Sequence, residues 1–208
     1  HTGREWRIGG PRFSVQTLDG ARTNLGDVGF RHWNEESRNG RPVVILQTSL
    51  QRPRMEVQQV FSFCDDGRTL RIQTRLRATD RTVTLHRVGL LELRVEGQSF
   101  RLTGPELVSS PVFGNDVFGG VEHPSAWCQA AGDAFWIAQY SYLNLGPNWA
   151  GTPSAVFGCA GKVSGLTRDE TLRRTFIRYL DTVRVKPKDM HVHYNDWWTA
   201  PVPSSQQF

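Results

Sequence analysis

Residues 186–198 read Lys-Pro-Lys-Asp-Met-His-Val-His-Tyr-Asn-Asp-Trp-Trp, the densest run of hydrogen-bonding and aromatic side chains in the 208-residue chain. Met190, Val192 and Tyr194 alternate with His191, His193 and Asn195, which is the period of a strand. Where such a strand ends, Tyr194, Asn195, Asp196, Trp197 and Trp198 have the chemistry to hold a sugar. Indole faces stack on apolar C–H surfaces, and Asn and Asp offer short, rigid hydrogen bonds to hydroxyls. The plainer reading is that two Trp close a core and Asn-Asp makes a turn.

A second cluster, Glu122-His123, stands in the Gly- and Pro-punctuated stretch 104–126. A Glu-His pair can do acid–base work on a hydroxyl, or the carboxylate can simply fix its own loop. Hydrolysis of a glycosidic bond with retention needs two carboxylates roughly 5 Å apart. Asp116, Glu122 and Asp196 form the available set, and nothing in the sequence brings them together. Catalytic residues are therefore expected elsewhere, with Glu122 and His123 as the only candidates inside the chain. His191 and His193 share one side of a strand, as metal ligands can, and His123 is a conceivable third. No Cys or nearby carboxylate completes a set, so neither metal nor cofactor is expected, and hydrogen-bonded strand histidines are the simpler reading. Trp149, in a Gly-Pro loop, is either a stacking platform over a groove or the anchor of its own loop.

These residues need a scaffold, and the pattern around them is β. Val43–Leu50 is a β-branched run that predicts a buried strand. Met55–Phe63 follows, with Val57, Phe61 and Phe63 inward. Asp65-Asp66-Gly67 predicts a turn. Thr69–Arg77 alternates, with Leu70, Ile72 and Leu76 on one face and Arg71, Gln73, Arg75 and Arg77 on the other. Val83 and Leu85 begin a further strand, and Val88–Val95 continues the sheet. Trp127–Tyr142 and Ala155–Val163 read as strands separated by the loop that carries Trp149. Phe30–Trp33 reads as a loop or an edge. One helix stands out: Thr167-Arg168-Asp169-Glu170 is a capping box, and Leu172, Phe176, Tyr179, Leu180 and Val183 recur at helical spacing. Strands at about ten-residue intervals predict an all-β antiparallel sandwich. The expected organisation is a sandwich over 1–165, a connecting helix over 166–185, a strand over 186–199 and a disordered tail over 200–208.

Composition narrows the role. The net charge is +5, yet Arg68, Arg71, Arg75, Arg77, Arg81, Arg87 and Arg94 are spread along strands like a solvated sheet face. A basic stripe interleaved with stacking aromatics is missing, which argues against nucleic acid. No run of eighteen apolar residues exists to span a membrane. Three cysteines, Cys64, Cys128 and Cys159, are too sparse for a disulfide framework or a zinc site. Seven Trp and eleven Phe suit a β protein that meets carbohydrate. The chain opens on His1 with no signal peptide in view, so it is expected to be a processed product or a piece of something longer, from a secreted or periplasmic setting.

Phe118-Gly119-Gly120-Val121-Glu122-His123-Pro124, the Arg-rich helix with Phe176 and Tyr179, Lys186-Pro187 and His193-Tyr194-Asn195-Asp196-Trp197 occur in an order that resembles the N-terminal part of the α-galactosidase-like glycoside hydrolases of the melibiase and raffinose-synthase group. The resemblance implies a galactose-mutarotase-like supersandwich ahead of a (β/α)8 barrel whose first strand ends at Tyr194–Trp197 and lines a galactoside pocket. Asp196 stands where Ser is commoner in that group. The group's catalytic aspartates belong to later barrel strands, so the resemblance implies a chain inactive alone, with carbohydrate and a C-terminal barrel domain as partners. Two other readings stay open: a free-standing carbohydrate-binding module, and a mutarotase-like epimerase with His123 as acid and Glu122 as base.

Overall fold

The computed structural model describes residues 8–25, 32–38, 40–104, 110–123, 126–161 and 163–184. Fourteen strands and one helix are assigned among them. In chain order they are β1 (Ile8–Thr17), β2 (Arg22–Asn24), β3 (His32–Arg38), β4 (Arg41–Gln51), β5 (Arg54–Phe63), β6 (Thr69–Ala78) and β7 (Val83–Val95). There follow β8 (Arg101–Leu102), β9 (Val112–Phe113), β10 (Val117–Val121), β11 (Ala126–Ala131), β12 (Ala134–Leu145), β13 (Ala150–Gly151), β14 (Ala155–Cys159) and the helix α1 (Arg168–Val183). The strands form two antiparallel sheets. One runs β11-β12-β7-β1-β2. The other runs β3-β4-β5-β6-β14-β10-β9-β8, with β13 also paired to β6. The expected all-β antiparallel sandwich followed by a helix is what the chain forms.

The core lies between the sheets, where period-two alternation sends one face of each strand inward. Phe13, Val15, Leu85, Leu91 and Phe135 from the first sheet meet Met55, Val57, Ile72, Leu76 and Ala155 from the second. Aromatic edges knit the layers: Phe13 meets Phe61 at 6.2 Å and Phe135 stacks on Phe157 at 6.3 Å. Phe135 also lies against Gly119, where a Cβ would come within 2.9 Å of its ring. This is a close approach that only a missing side chain permits.

The β6 alternation is as expected: Ile72, Thr74 and Leu76 are buried, while Arg71, Gln73, Arg75 and Arg77 are half-buried on the outer face. Other boundaries differ. Val83–Val95 is one thirteen-residue strand, because β1 and β12 both pair along it with register shifts that absorb the break at Arg87. The stretch 127–142 is a hairpin of β11 and β12, turned at Gly132 with φ +58°. Of the stretch 30–33, His32 and Trp33 belong to the edge strand β3, with Trp33 66% exposed, while Phe30 and Arg31 lie outside the described residues. Phe63 closes its strand half-exposed rather than inward.

Helix α1 begins as its sequence dictates. The Thr167 side chain accepts from the Glu170 N–H, and the Glu170 carboxylate accepts from the Thr167 N–H at 2.9 Å. The helix buries Thr171, Leu172, Thr175 and Tyr179 and leaves Leu180 exposed. Its apolar face covers the outer side of β10 and β14, forming a second core with Cys64, Phe118, Val156 and Ala160, against which Phe176 and Val183 pack. Phe118 lies over Gly158, where a Cβ would come within 2.1 Å of its ring. The helix therefore sits directly on the sandwich.

Candidate functional site

Tyr179, an aromatic with a polar tip on the apolar face of α1, needs an acceptor when buried. It finds one in Glu122, directly after β10: the Tyr179 hydroxyl donates to Glu122 Oε1 at 2.9 Å. Arg71, near the start of β6, donates to the same oxygen through Nε at 3.1 Å and Nη2 at 2.7 Å. The Glu122 N–H donates to Ser154 C=O at 2.9 Å. Sheet registry makes this possible, since Arg71 pairs with Val156, which pairs with Gly120, two residues before Glu122. Burial first, then the Glu122 charge, push the Tyr179 hydroxyl well above its ordinary value near 10. Burial pushes the neighbouring Cys64 thiol up to about 11. Neither is primed as a nucleophile.

Arg71 is also one wall of a groove. On the outer face of β4, β5 and β6, the row Val43–Ser62–Arg71 runs across the strands, with Val60 and Gln73 beside it. With Arg41, Asp65, Phe63 and Ser154 these residues enclose about 430 Å³. Arg41 is ion-paired with Asp65. The floor at Val43 and Val60 is apolar and buried, while the walls carry hydroxyl, amide, guanidinium and carboxylate groups. Of the described carboxylates, Asp65 alone lines the groove, so the lining offers no pair for acid–base hydrolysis. It can bind a small polyhydroxylated molecule: apolar surface below a ring, hydrogen-bonding groups around its rim.

Each residue singled out in the sequence has a definite status. Glu122 is 22% exposed along its side chain and committed to Arg71 and Tyr179. His123 is exposed beside it. Trp149 is half-buried, with the Arg77 guanidinium 4.7 Å above its ring centroid, and Arg77 is itself paired to Glu56 at 2.6 Å. Glu122 and Trp149 thus belong to the same outer face but to different sites. Their partners Arg71 and Arg77 are six residues apart on β6, about 20 Å at a strand's usual rise. His193, Tyr194, Asn195, Asp196, Trp197 and Trp198 lie outside the described residues, as do His191 and the stretches 186–199 and 200–208 expected to form a strand and a tail. Among the described residues no three His, Cys, Asp or Glu stand together as metal ligands, and no helix is long and apolar enough to cross a membrane.

The groove and Tyr179 were not evident from sequence. The signal for Tyr179 was present, since a phenol on an apolar helix stripe needs an acceptor. The groove residues come from several strands and turns, with no local spacing to mark them. Arg71, Arg77, Arg87 and Arg94 are not simply solvated: Arg87 stacks on Trp127 at 4.6 Å and Arg94 meets Asp133 at 3.6 Å.

No family model matches the chain, and no curated protein matches it. Among solved structures it is similar to the GH36 alpha-galactosidase AgaA from Geobacillus stearothermophilus, determined in complex with raffinose. Identity is 10% and the TM-score is 0.38, over 72% of this chain and 30% of that one. The chain spans less than a third of that protein's length.

Proposed function

We propose that this chain is the carbohydrate-interacting β-sandwich of a glycoside hydrolase of the α-galactosidase-like group. In this reading it binds a galactoside-like sugar, and bond cleavage belongs to a (β/α) barrel domain that carries the catalytic carboxylates. The observation that carries the reading is the outer-face groove, with its apolar floor at Val43 and Val60 and its polar rim of Ser62, Arg71, Gln73 and Ser154. A galactopyranose presents this combination of an apolar C–H face and hydroxyls around its edge.

Two further points support it. The groove shares Arg71 with the Glu122–Tyr179 junction, so the helix that precedes the Tyr194–Trp198 segment is tied to the groove wall. The carboxylates of the junction and the groove are engaged by cations, Glu122 by Arg71 and Asp65 by Arg41, which suits binding rather than hydrolysis.

The test is calorimetric titration of the 208-residue chain with methyl α-galactoside, alongside Gln73→Ala and Trp197→Ala. Saturable binding weakened in Gln73→Ala is expected, with a further loss in Trp197→Ala if the C-terminal segment contributes its indole. Absence of saturable heat with this sugar would overturn the reading. Hydrolysis of a chromogenic galactoside by the chain alone would overturn the division of labour.

A further inference from the structure

Away from the groove, the turn between β5 and β6 faces the middle of α1 across a separate cavity of about 120 Å³, whose lining includes Asp66, Arg68, Thr171, Arg174, Thr175 and Arg178. Three arginines, each exposed, line it against one carboxylate. Arg174 and Arg178 are four residues apart on one helix face, a spacing at which like charges repel. Arg68 lines the opposite wall.

Each wall is held firmly. The Arg68 N–H donates to Asp66 Oδ1 at 2.9 Å, and the Arg68 carbonyl accepts from the Cys159 N–H at 3.3 Å. Its guanidinium lies against Gly161, where a Cβ would come within 3.1 Å of Nη1, so the backbone makes room for it.

The carboxylate does not neutralise the cluster. Asp66 Oδ1 accepts from the backbone N–H of Arg68 and Thr69, and Oδ2 accepts from the Thr69 hydroxyl at 2.6 Å. Among the described residues, none of the three arginines is in an ion pair. Of the acids on the helix near these arginines, Glu170 feels the Arg174 charge but gives its hydrogen bonds to the capping box with Thr167, and Asp181 is paired with Arg184 at 2.6 Å. The Thr171 and Thr175 hydroxyls donate back to the helix carbonyls of Thr167 and Thr171, each at 2.8 Å. The open donors of the cavity are therefore the arginine forks.

We propose that this cavity is a binding site for one tetrahedral oxyanion, a phosphate or sulfate group, clamped by Arg68, Arg174 and Arg178. Planar guanidinium forks match the edge of such an anion with paired, charge-assisted hydrogen bonds. The volume suits a single group, and the negative charge relieves the repulsion among the three cations. The site is independent of the sugar groove, and either can fail without the other.

The test is calorimetry and thermal melting of the 208-residue chain with inorganic phosphate, with sodium chloride at matched ionic strength as the blank. Galactose 6-phosphate and galactose serve as a second pair, separating a free anion from one carried on a sugar. Saturable binding of phosphate is expected, weakened by about tenfold or more in Arg174→Gln/Arg178→Gln, as loss of charged, forked hydrogen bonds requires. Arg173→Gln, on the same helix but not among the cavity's lining residues, retains it. Arg68→Gln, on the other wall, gives the same loss without touching the helix, so a folding defect in the double variant does not blur the result. Equal binding of phosphate by wild type and the Arg68 variant, or no saturable signal beyond the chloride blank, would overturn the proposal.

Discussion

Arg71 and Glu122 lie fifty-one residues apart in the chain, and the Arg71 guanidinium donates twice to one carboxylate oxygen of Glu122, at 2.7 and 3.1 Å. The Tyr179 hydroxyl takes the same oxygen at 2.9 Å. One atom therefore joins the middle of the large sheet, the end of β10 and the helix. Removing the carboxylate leaves a half-buried cation and a buried phenol without their acceptor. Glu122→Ala is expected to destabilise the chain by about 1.5–3 kcal/mol, the usual worth of hydrogen bonds to charged groups. Glu122→Gln, which keeps an acceptor, should cost less. Urea unfolding midpoints decide it. An unchanged midpoint for Glu122→Ala would mean the junction holds nothing together.

The same junction predicts a response to alkali. The folded state keeps the Tyr179 phenol and the Cys64 thiol protonated beyond their ordinary values near 10 and 9.0, Cys64 to about 11. Above those ordinary values the unfolded chain loses protons that the folded chain retains, so stability falls as pH rises. It is complete below about pH 9 and declines between about 9 and 11 through Cys64 and through Cys128, which burial also pushes up to about 11, with the raised Cys159 adding to it, and it declines through Tyr179 from about 10 upward. Tyr179→Phe should lose the hydrogen bond at neutral pH and flatten the decline above pH 10. Unfolding midpoints measured from pH 7 to 11 test both features, and identical slopes for wild type and variant would contradict the assignment.

Phe118 rests on the bare backbone of Gly158, beneath α1. Gly158→Ala puts a methyl where the ring is, and overpacking of this kind costs about 1–3 kcal/mol. Phe118→Leu in the same chain should recover part of the loss by vacating the space. Thermal melting of the single and double variants checks this. Additive losses in the double variant would show that the ring and the glycine do not share the space.

Gln59 is fully buried on the inner face of β5, and among the described residues neither its amide nitrogen nor its oxygen has a hydrogen-bond partner; the Thr74 hydroxyl opposite it is likewise unsatisfied there. An unpaired buried amide costs about 1–3 kcal/mol. Gln59→Leu, close in volume, should therefore leave the fold intact and raise its stability. A fall in melting temperature would mean that the amide contributes net stability to the fold.

How much of this was readable beforehand depends on how far apart the partners sit. The β6 alternation and the Thr167–Glu170 capping box are local, set by residues two and three apart, and both appear as expected. Strand β3, His-Trp-Asn-Glu-Glu-Ser-Arg, carries no apolar alternation because it is an edge exposed along most of its length, so only pairing with β4 defines it. The union of Val83–Leu85 with Val88–Val95 depends on register shifts against two neighbours. Arg71 looked like one of several solvated arginines because its partner lies on another strand. The groove is a product of sheet order, and sheet order is the least local property of a β fold.

The central claim is that the outer-face groove binds a sugar. The most direct measurement is a two-dimensional amide spectrum of the isotope-labelled chain titrated with methyl α-galactoside. Saturable shifts confined to Ser62, Phe63, Arg71, Gln73 and Ser154, and abolished in Gln73→Ala, are the predicted result. Shifts scattered over the surface, or none in these residues at saturating sugar, would contradict it.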